Sequence, residues 1–161
     1  MPGNDMSILV AGLGSECGAD VLGWEVVRAL QGQDLPEAVC LLQCGHPAEM
    51  LEPLLRADAA IIVDACVGEG EAGRLREVCL GDIEPGIRQV HGLGLAEVLR
   101  LAIVLGLRAD RLWIYGLMVP SCEVELEQAW VSRAVPELVQ IVRGKSLEVC
   151  PPAASAVAGS L

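Results

Sequence analysis

The stretch ILVAGLGSECGADVLG, from Ile8 to Gly23, combines an apolar strand pattern, a glycine-rich turn and the start of a helix. The short apolar run that opens it ends at a glycine, as a buried parallel strand does. After the turn, apolar residues recur at every fourth position, which predicts a helix over 20–31 packed on a sheet. Asp20 stands where that helix is expected to begin.

The rest of the chain repeats this alternation of strand and helix patterns. Apolar runs predict strands over 38–43, 59–63 and 111–117, and alternating charged and apolar residues predict an edge strand over 74–80. Helical patterns cover 48–56, the run that starts at His91, and 126–143. The fold class is therefore α/β, a three-layer α/β/α sandwich with a mostly parallel central sheet of about five strands. We predict one domain over 1–150 and a disordered tail over 151–161.

Composition excludes several classes of partner. The chain carries 22 acidic against 11 basic residues, and its net charge of −11 would repel nucleic acid. Charged residues interrupt every long apolar run and the first residues lack a signal-peptide pattern, so we expect a cytoplasmic protein with no membrane partner. The seven cysteines form no CxxC pair, which favours reduced, buried thiols over a disulfide framework.

Three polar residues are expected at the carboxyl ends of the strands, where α/β sheets bind ligands. Asp20 follows the first strand, Asp64 follows the third, and His91 opens a long apolar helix. Two carboxylates and an imidazole suit a divalent transition metal such as Zn, Ni, Co or Mn. The positive end of a helix dipole would keep a histidine at its start neutral and able to bind metal. Taken singly, each residue also fits an ordinary helix or turn position.

Two other groups of residues have weaker functional interpretations. Cys44 and His46 follow the second strand, as further metal ligands or as a nucleophile and its base. The glycines of the first turn, Gly12, Gly14 and Gly18, approach the dinucleotide fingerprint. The second strand ends without the acid that binds a ribose, so a nucleotide site is the less favoured interpretation of that turn.

Six segments in this order resemble the hydrogenase maturation proteases, the endopeptidases that trim the large subunit of NiFe hydrogenases. The motifs are ILVAGLGS followed by GADVLGWEVVRAL, then AAIIVDA, then VHGLGLAEVLRLA, and the closing segments RLWIYGLMVPSCE and AVPELVQIV. The similarity covers roughly residues 7–143.

The resemblance implies a function and a set of site residues. Asp20, Asp64 and His91 match the metal-binding and catalytic positions, with Glu16 as a competitor for the first of them. The implied activity is an aspartic-type or metal-assisted endopeptidase that removes the C-terminal extension of a large-subunit precursor. We expect the nickel to be supplied by the substrate's own active site, and the enzyme to be a monomer or weak oligomer.

The sequence departs from the family pattern within the first motif. Ser15 replaces the asparagine of the loop, Ala19 the first acid of a pair, and Val21 a small residue. These departures leave open a second class of function, a chaperone-like relative that binds precursor or metal without cleaving. A nucleotide-binding α/β module is the third hypothesis.

Overall fold

The computed structural model describes residues 6–83 and 94–151, and within that part of the chain it contains one five-stranded sheet. The strands are β1 (Ile8–Leu13), β2 (Val39–Cys44), β3 (Ala59–Val67), β4 (Leu75–Val78) and β5 (Leu112–Val119). Their order across the sheet is β2-β1-β3-β5-β4. The first three strands and β5 run parallel, and β4 pairs antiparallel with β5 at the edge. The predicted edge strand is confirmed.

Helices cover both faces of the sheet. They are α1 (Leu22–Leu30), α2 (Leu51–Arg56), α3 (Leu95–Val104) and α4 (Gln128–Val149), with short 3-10 turns before α1 and α2. On one face, α1 and α4 pack together over alternate residues of β1 and β3 such as Val10 and Ile61. On the other face, α2 and α3 cover Ala11 and Ile62. The predicted three-layer α/β/α sandwich is therefore confirmed.

The glycines of the first turn allow α1 to lie directly on β1. A Cβ at Gly23 would come within 2.0 Å of the Leu13 carbonyl oxygen, and one at Gly12 within 2.4 Å of the Gly23 carbonyl oxygen. Both distances are far below van der Waals contact, so side chains at these positions would push the helix off the strand. The close packing of helix on strand accounts for these two glycines without a bound phosphate.

Three element boundaries differ most from the sequence prediction. Strand β3 continues to Val67, because its last residues pair with β5 as far as Val119. Helix α4 extends to Val149 with Pro136 in its interior. Helix α3 begins at Leu95 rather than at His91. The residues 84–93 and 152–161 lie outside the described part of the chain, so the predicted tail is not tested.

None of the helices within the described ranges is long and apolar enough to cross a membrane.

Candidate functional site

The candidate site is built around Asp64, which lies inside strand β3 rather than after it. The residue is paired with Gly116 of β5, in the middle of the sheet's width. Burial raises the pKa of the Asp64 carboxyl to about 7, and the negative charge of Asp20 adds to the rise. A hydrogen bond from the backbone N–H of Ala65 opposes it. The structure therefore brings the two predicted aspartates into electrostatic contact.

Asp20 reaches this position because the chain turns sharply after β1. The residue lies in a 3-10 turn over Gly18–Val21, where its N–H donates to the Cys17 carbonyl at 3.1 Å. Its own carbonyl accepts from the Ser15 N–H at 3.3 Å. These bonds close the loop on itself and hold the Asp20 backbone at the carboxyl edge of the sheet. Glu16 is exposed on the outside of the same loop, so the pKa rise of Asp64 involves Asp20 and not Glu16.

The loop between β5 and α4 supports the turn from its other side. Gly18 has a φ of +56°, and a Cβ there would come within 2.4 Å of the Cys122 carbonyl oxygen and 2.8 Å of the Val124 carbonyl oxygen. The Cys122 carbonyl accepts from the Ala19 N–H at 3.2 Å. Glycine is required here both by the left-handed backbone and by the close approach. This contact was not predicted from the sequence, because the only residue that indicates it is Gly18 itself.

Trp24 of α1 braces the other end of the turn. Its indole N–H donates to the Cys44 carbonyl at 2.8 Å, and the same carbonyl accepts from the Gly14 N–H at 3.0 Å. The ring also lies against Gly14, where a Cβ would come within about 3.0 Å of it. The β1–α1 turn is thus attached to the end of β2 as well as to the β5–α4 loop.

Cys44 is the last residue of β2 and His46 follows it, and the contacts of both side chains support the fold. The Cys44 side chain is fully buried, and burial, with a smaller contribution from the charge of Glu49, raises the pKa of its thiol to about 11. A thiol held neutral in this way is a poor nucleophile and a poor metal ligand. The His46 Nδ1 accepts from the Ala48 N–H at 3.3 Å, so its ring caps the 3-10 turn over Pro47–Met50.

His91 lies outside the described residues, so the predicted set of three ligands is not tested by the geometry. Helix α3 begins at Leu95 with Gly94 as its N-cap. Within the described ranges, no group of three His, Cys, Asp or Glu side chains is arranged to hold a metal ion. Of the three predicted ligands, the described part of the chain contains the two carboxylates, Asp20 and Asp64.

A carboxyl whose pKa is raised to about 7 beside a second carboxylate can act in two ways. Near neutral pH Asp64 is present in both its protonated and its ionised form, so it can act as an acid or as a base. The two carboxylates together also attract a cation, because a positive charge relieves their repulsion. Either use requires a substrate group or an ion to approach the two aspartates at the carboxyl edge of the sheet.

A family model described as HycI, hydrogenase maturation protease, matches residues 24–145, which is most of the chain. The chain belongs to the hydrogenase maturation protease family. Membership in this family implies a peptidase. The matched range includes Asp64 and His91 and begins just after Asp20.

Solved structures of hydrogenase maturation proteases have the same fold. The maturating endopeptidase HybD from E. coli is 25% identical with a TM-score of 0.69, over 86% of this chain and 93% of its own. The NiFe hydrogenase maturation protease HycI from Thermococcus kodakarensis KOD1 is 22% identical with a TM-score of 0.68, over 87% of this chain and 92% of its own. No curated protein sequence matches the chain significantly.

Proposed function

We propose that this maturation protease removes the C-terminal extension of a nickel-loaded NiFe hydrogenase large-subunit precursor. The observation that supports this is the half-buried Asp64, whose pKa is raised to about 7 by burial and by Asp20 at the carboxyl edge of the sheet. Perturbed carboxylates of this kind are typical of sites that move protons or bind cations. Because the family consists of peptidases with this fold, we assign peptide hydrolysis to this pair of aspartates.

Nickel belongs to the substrate in this proposal. The carboxylates of Asp20 and Asp64, joined by the imidazole of His91, form an oxygen and nitrogen donor set that suits a divalent transition metal. A cation next to the pair would favour the ionised form of Asp64, against the effect of burial. Binding would therefore be selective for a precursor that already carries its metal, because a metal-free precursor leaves the two carboxylates in repulsion.

The proton required for peptide hydrolysis would be handled by the same pair. An ionised aspartate can take a proton from the attacking water, and a protonated one can give a proton to the leaving amine. The substrate's nickel would supply polarisation of the scissile carbonyl or of the water. Both an aspartic-type and a metal-assisted route use Asp64 in contact with water or with the scissile group.

Processing of purified precursor tests this proposal. Asp64→Asn and His91→Ala should each lower the rate of trimming by at least about 100-fold, because each removes a donor or proton carrier. Glu37→Gln, an exposed carboxylate before β2, is the matched control and should process normally. The extension is followed by mass spectrometry, with nickel-loaded and nickel-free precursor in parallel.

Two outcomes would contradict the proposal. Unchanged trimming by both variants would show that neither Asp64 nor His91 takes part in the reaction. Tight binding of nickel-loaded precursor without any cleavage by the wild-type protein would instead support the chaperone-like alternative suggested by Ala19 and Val21.

A further inference from the structure

Arg76 of β4 lies in the same row across the sheet as Asp64. Both residues are paired with Gly116 of β5, Asp64 from the parallel side and Arg76 from the antiparallel side. The side chains of residues that are paired in this way lie on one face of a sheet. Arg76 and Asp64 therefore share a face and are separated by a single strand.

Neighbouring residues on the same strands show which face this is. Val78 in β4 and Ile62 in β3, each two positions away in the chain, belong to the core layer that α2 and α3 cover. Glu77 is paired with Tyr115, which belongs to the layer under α1 and α4. Since side chains alternate between the faces along a strand, the row lies on the α2–α3 face.

Only small side chains lie between the two charged residues. Gly116 has no side chain, and the Cys66 Cβ lies 2.9 Å from where a Cβ of Gly116 would stand. Adjacent strands are about 4.8 Å apart, so the backbones of Asp64 and Arg76 are about 10 Å apart. A peptide group of a substrate can span the distance between the short aspartate and the long arginine side chain.

Arg76 is exposed and has no acidic partner in the described part of the chain. Most basic side chains there form ion pairs, such as that of Arg74 with Glu71. The described ones without an ion pair are Arg76, Arg100 and Arg111. Arg100 lies on α3, and Arg111 precedes β5 at the opposite end of the sheet from the candidate site. Arg76 is thus the unpaired cation in the row of the candidate site.

We propose that Arg76 is a further catalytic residue, whose guanidinium donates hydrogen bonds to the carbonyl oxygen of the scissile peptide while that bond lies between Arg76 and Asp64. The proposal rests on the proposed function and assigns a contact that the two aspartates cannot make. Peptide hydrolysis develops negative charge on this oxygen, which carboxylates repel and a cationic donor stabilises. The planar guanidinium also offers two parallel donors to one substrate group.

The step that this geometry assigns is balanced. As the oxygen of the attacking water bonds to the carbonyl carbon, the ionised Asp64 takes a proton from the water. The carbonyl π electrons move onto the oxygen that Arg76 contacts. When the C=O bond forms again, the C–N bond breaks and the proton passes from Asp64 to the leaving nitrogen. The products are a carboxyl group and an amine, and Asp64 is again ionised.

The kinetics of trimming nickel-loaded precursor test this assignment. Arg76→Ala should lower kcat about 100- to 1000-fold and leave KM nearly unchanged, because the lost contact is stronger in the transition state than in the bound substrate. Arg76→Lys should retain more activity than Arg76→Ala, since it keeps the charge and loses the planar fork. Added methylguanidinium should restore part of the kcat of Arg76→Ala and none of that of Asp64→Asn.

Arg111→Ala is the matched control, because it removes another unpaired arginine at the far end of β5 and should trim with the wild-type kcat. Arg76 is exposed on an edge strand, so Arg76→Ala should fold, and thermal unfolding of both variants checks this. A raised KM with unchanged kcat would overturn the proposal. A loss of kcat that neither Arg76→Lys nor methylguanidinium relieves would show a structural role and overturn it too.

Failure of this proposal and failure of the proposed function give different results. If the wild type and Arg76→Ala trim the precursor equally well, the role of Arg76 is wrong and the protease function stands. If the wild type binds nickel-loaded precursor without cleaving it, the protease function is wrong and the role of Arg76 is wrong with it.

Discussion

Replacing Asp64 by asparagine should stabilise the protein, and the gain should depend on pH. The pKa of this carboxyl is raised in the folded protein from its ordinary value of 3.8 to about 7. This difference corresponds to about 4 kcal/mol between the protonated and ionised forms. Because the folded pKa is the higher one, the favourable contribution of Asp64 is fully present below pH 3.8 and is lost as the pH rises through about 7.

The expected change in the free energy of unfolding at each pH follows from these two pKa values. Near pH 4 the wild type carries a neutral carboxyl, so Asp64→Asn should change the free energy of unfolding by less than about 1 kcal/mol. Near pH 8 the wild type carries a negative charge on this half-buried carboxylate, so the variant should be more stable by about 2 to 4 kcal/mol. Part of the gain arises from repulsion by Asp20, so it should shrink in an Asp20→Asn background.

The assay is urea unfolding followed by tryptophan fluorescence at constant ionic strength, with chelator present to exclude metal binding. The quantity of interest is the difference between variant and wild type at each pH, because other carboxylates also change the absolute stability. Glu37→Gln is the control, and its curve should run parallel to that of the wild type. A difference for Asp64→Asn that is constant with pH, or a variant less stable than the wild type near pH 8, would refute the reasoning.

Three further predictions concern the turn, the thiols and the core. Gly18→Ala should lower the free energy of unfolding by about 1 to 3 kcal/mol in urea titrations, since its φ is +56° and the added Cβ meets the Cys122 carbonyl; an unchanged stability would show that the turn can relax. In the native protein Cys44 should react with iodoacetamide far more slowly than the exposed Cys17, because burial raises its pKa to about 11, and peptide mass spectrometry after brief labelling measures the ratio. Similar rates would contradict the burial of this thiol. Leu138→Ala in α4, at a fully buried position, should cost about 2 to 5 kcal/mol in the same unfolding assay, and a loss below about 1 kcal/mol would mean that the α1–α4 layer is loosely packed.

Most of the fold could be predicted from local patterns in the sequence. Apolar runs bounded by glycine correctly predicted where β1 and β2 lie, and the alternation with helical patterns correctly predicted the α/β sandwich. The end of β3 was predicted too early, because the polar Asp64 resembles the end of a buried strand. The strand continues to Val67, since its extension is stabilised by pairing with β5, and that pairing has no signature in the residues of β3 themselves.

The candidate site, too, could be predicted only in part from the sequence. The sequence proposed Asp20 and Asp64 from their positions after strand patterns, and left Glu16 as a competitor. The choice between the acids depends on which way the turn after β1 folds, and that turn is shaped by the distant Cys122 carbonyl and by Trp24. His91 remains a prediction from the sequence.

By itself the sequence determined the class of fold, the family and the candidate residues, because these depend on hydrophobic periodicity and on short motifs read along the chain. Only the tertiary structure decided that Asp20 acts on the pKa of Asp64 and that Cys44 is buried as a neutral thiol. The physical reason is that burial and electrostatic coupling depend on which strands and loops are neighbours. The order β2-β1-β3-β5-β4 brings together loops that are far apart in the sequence.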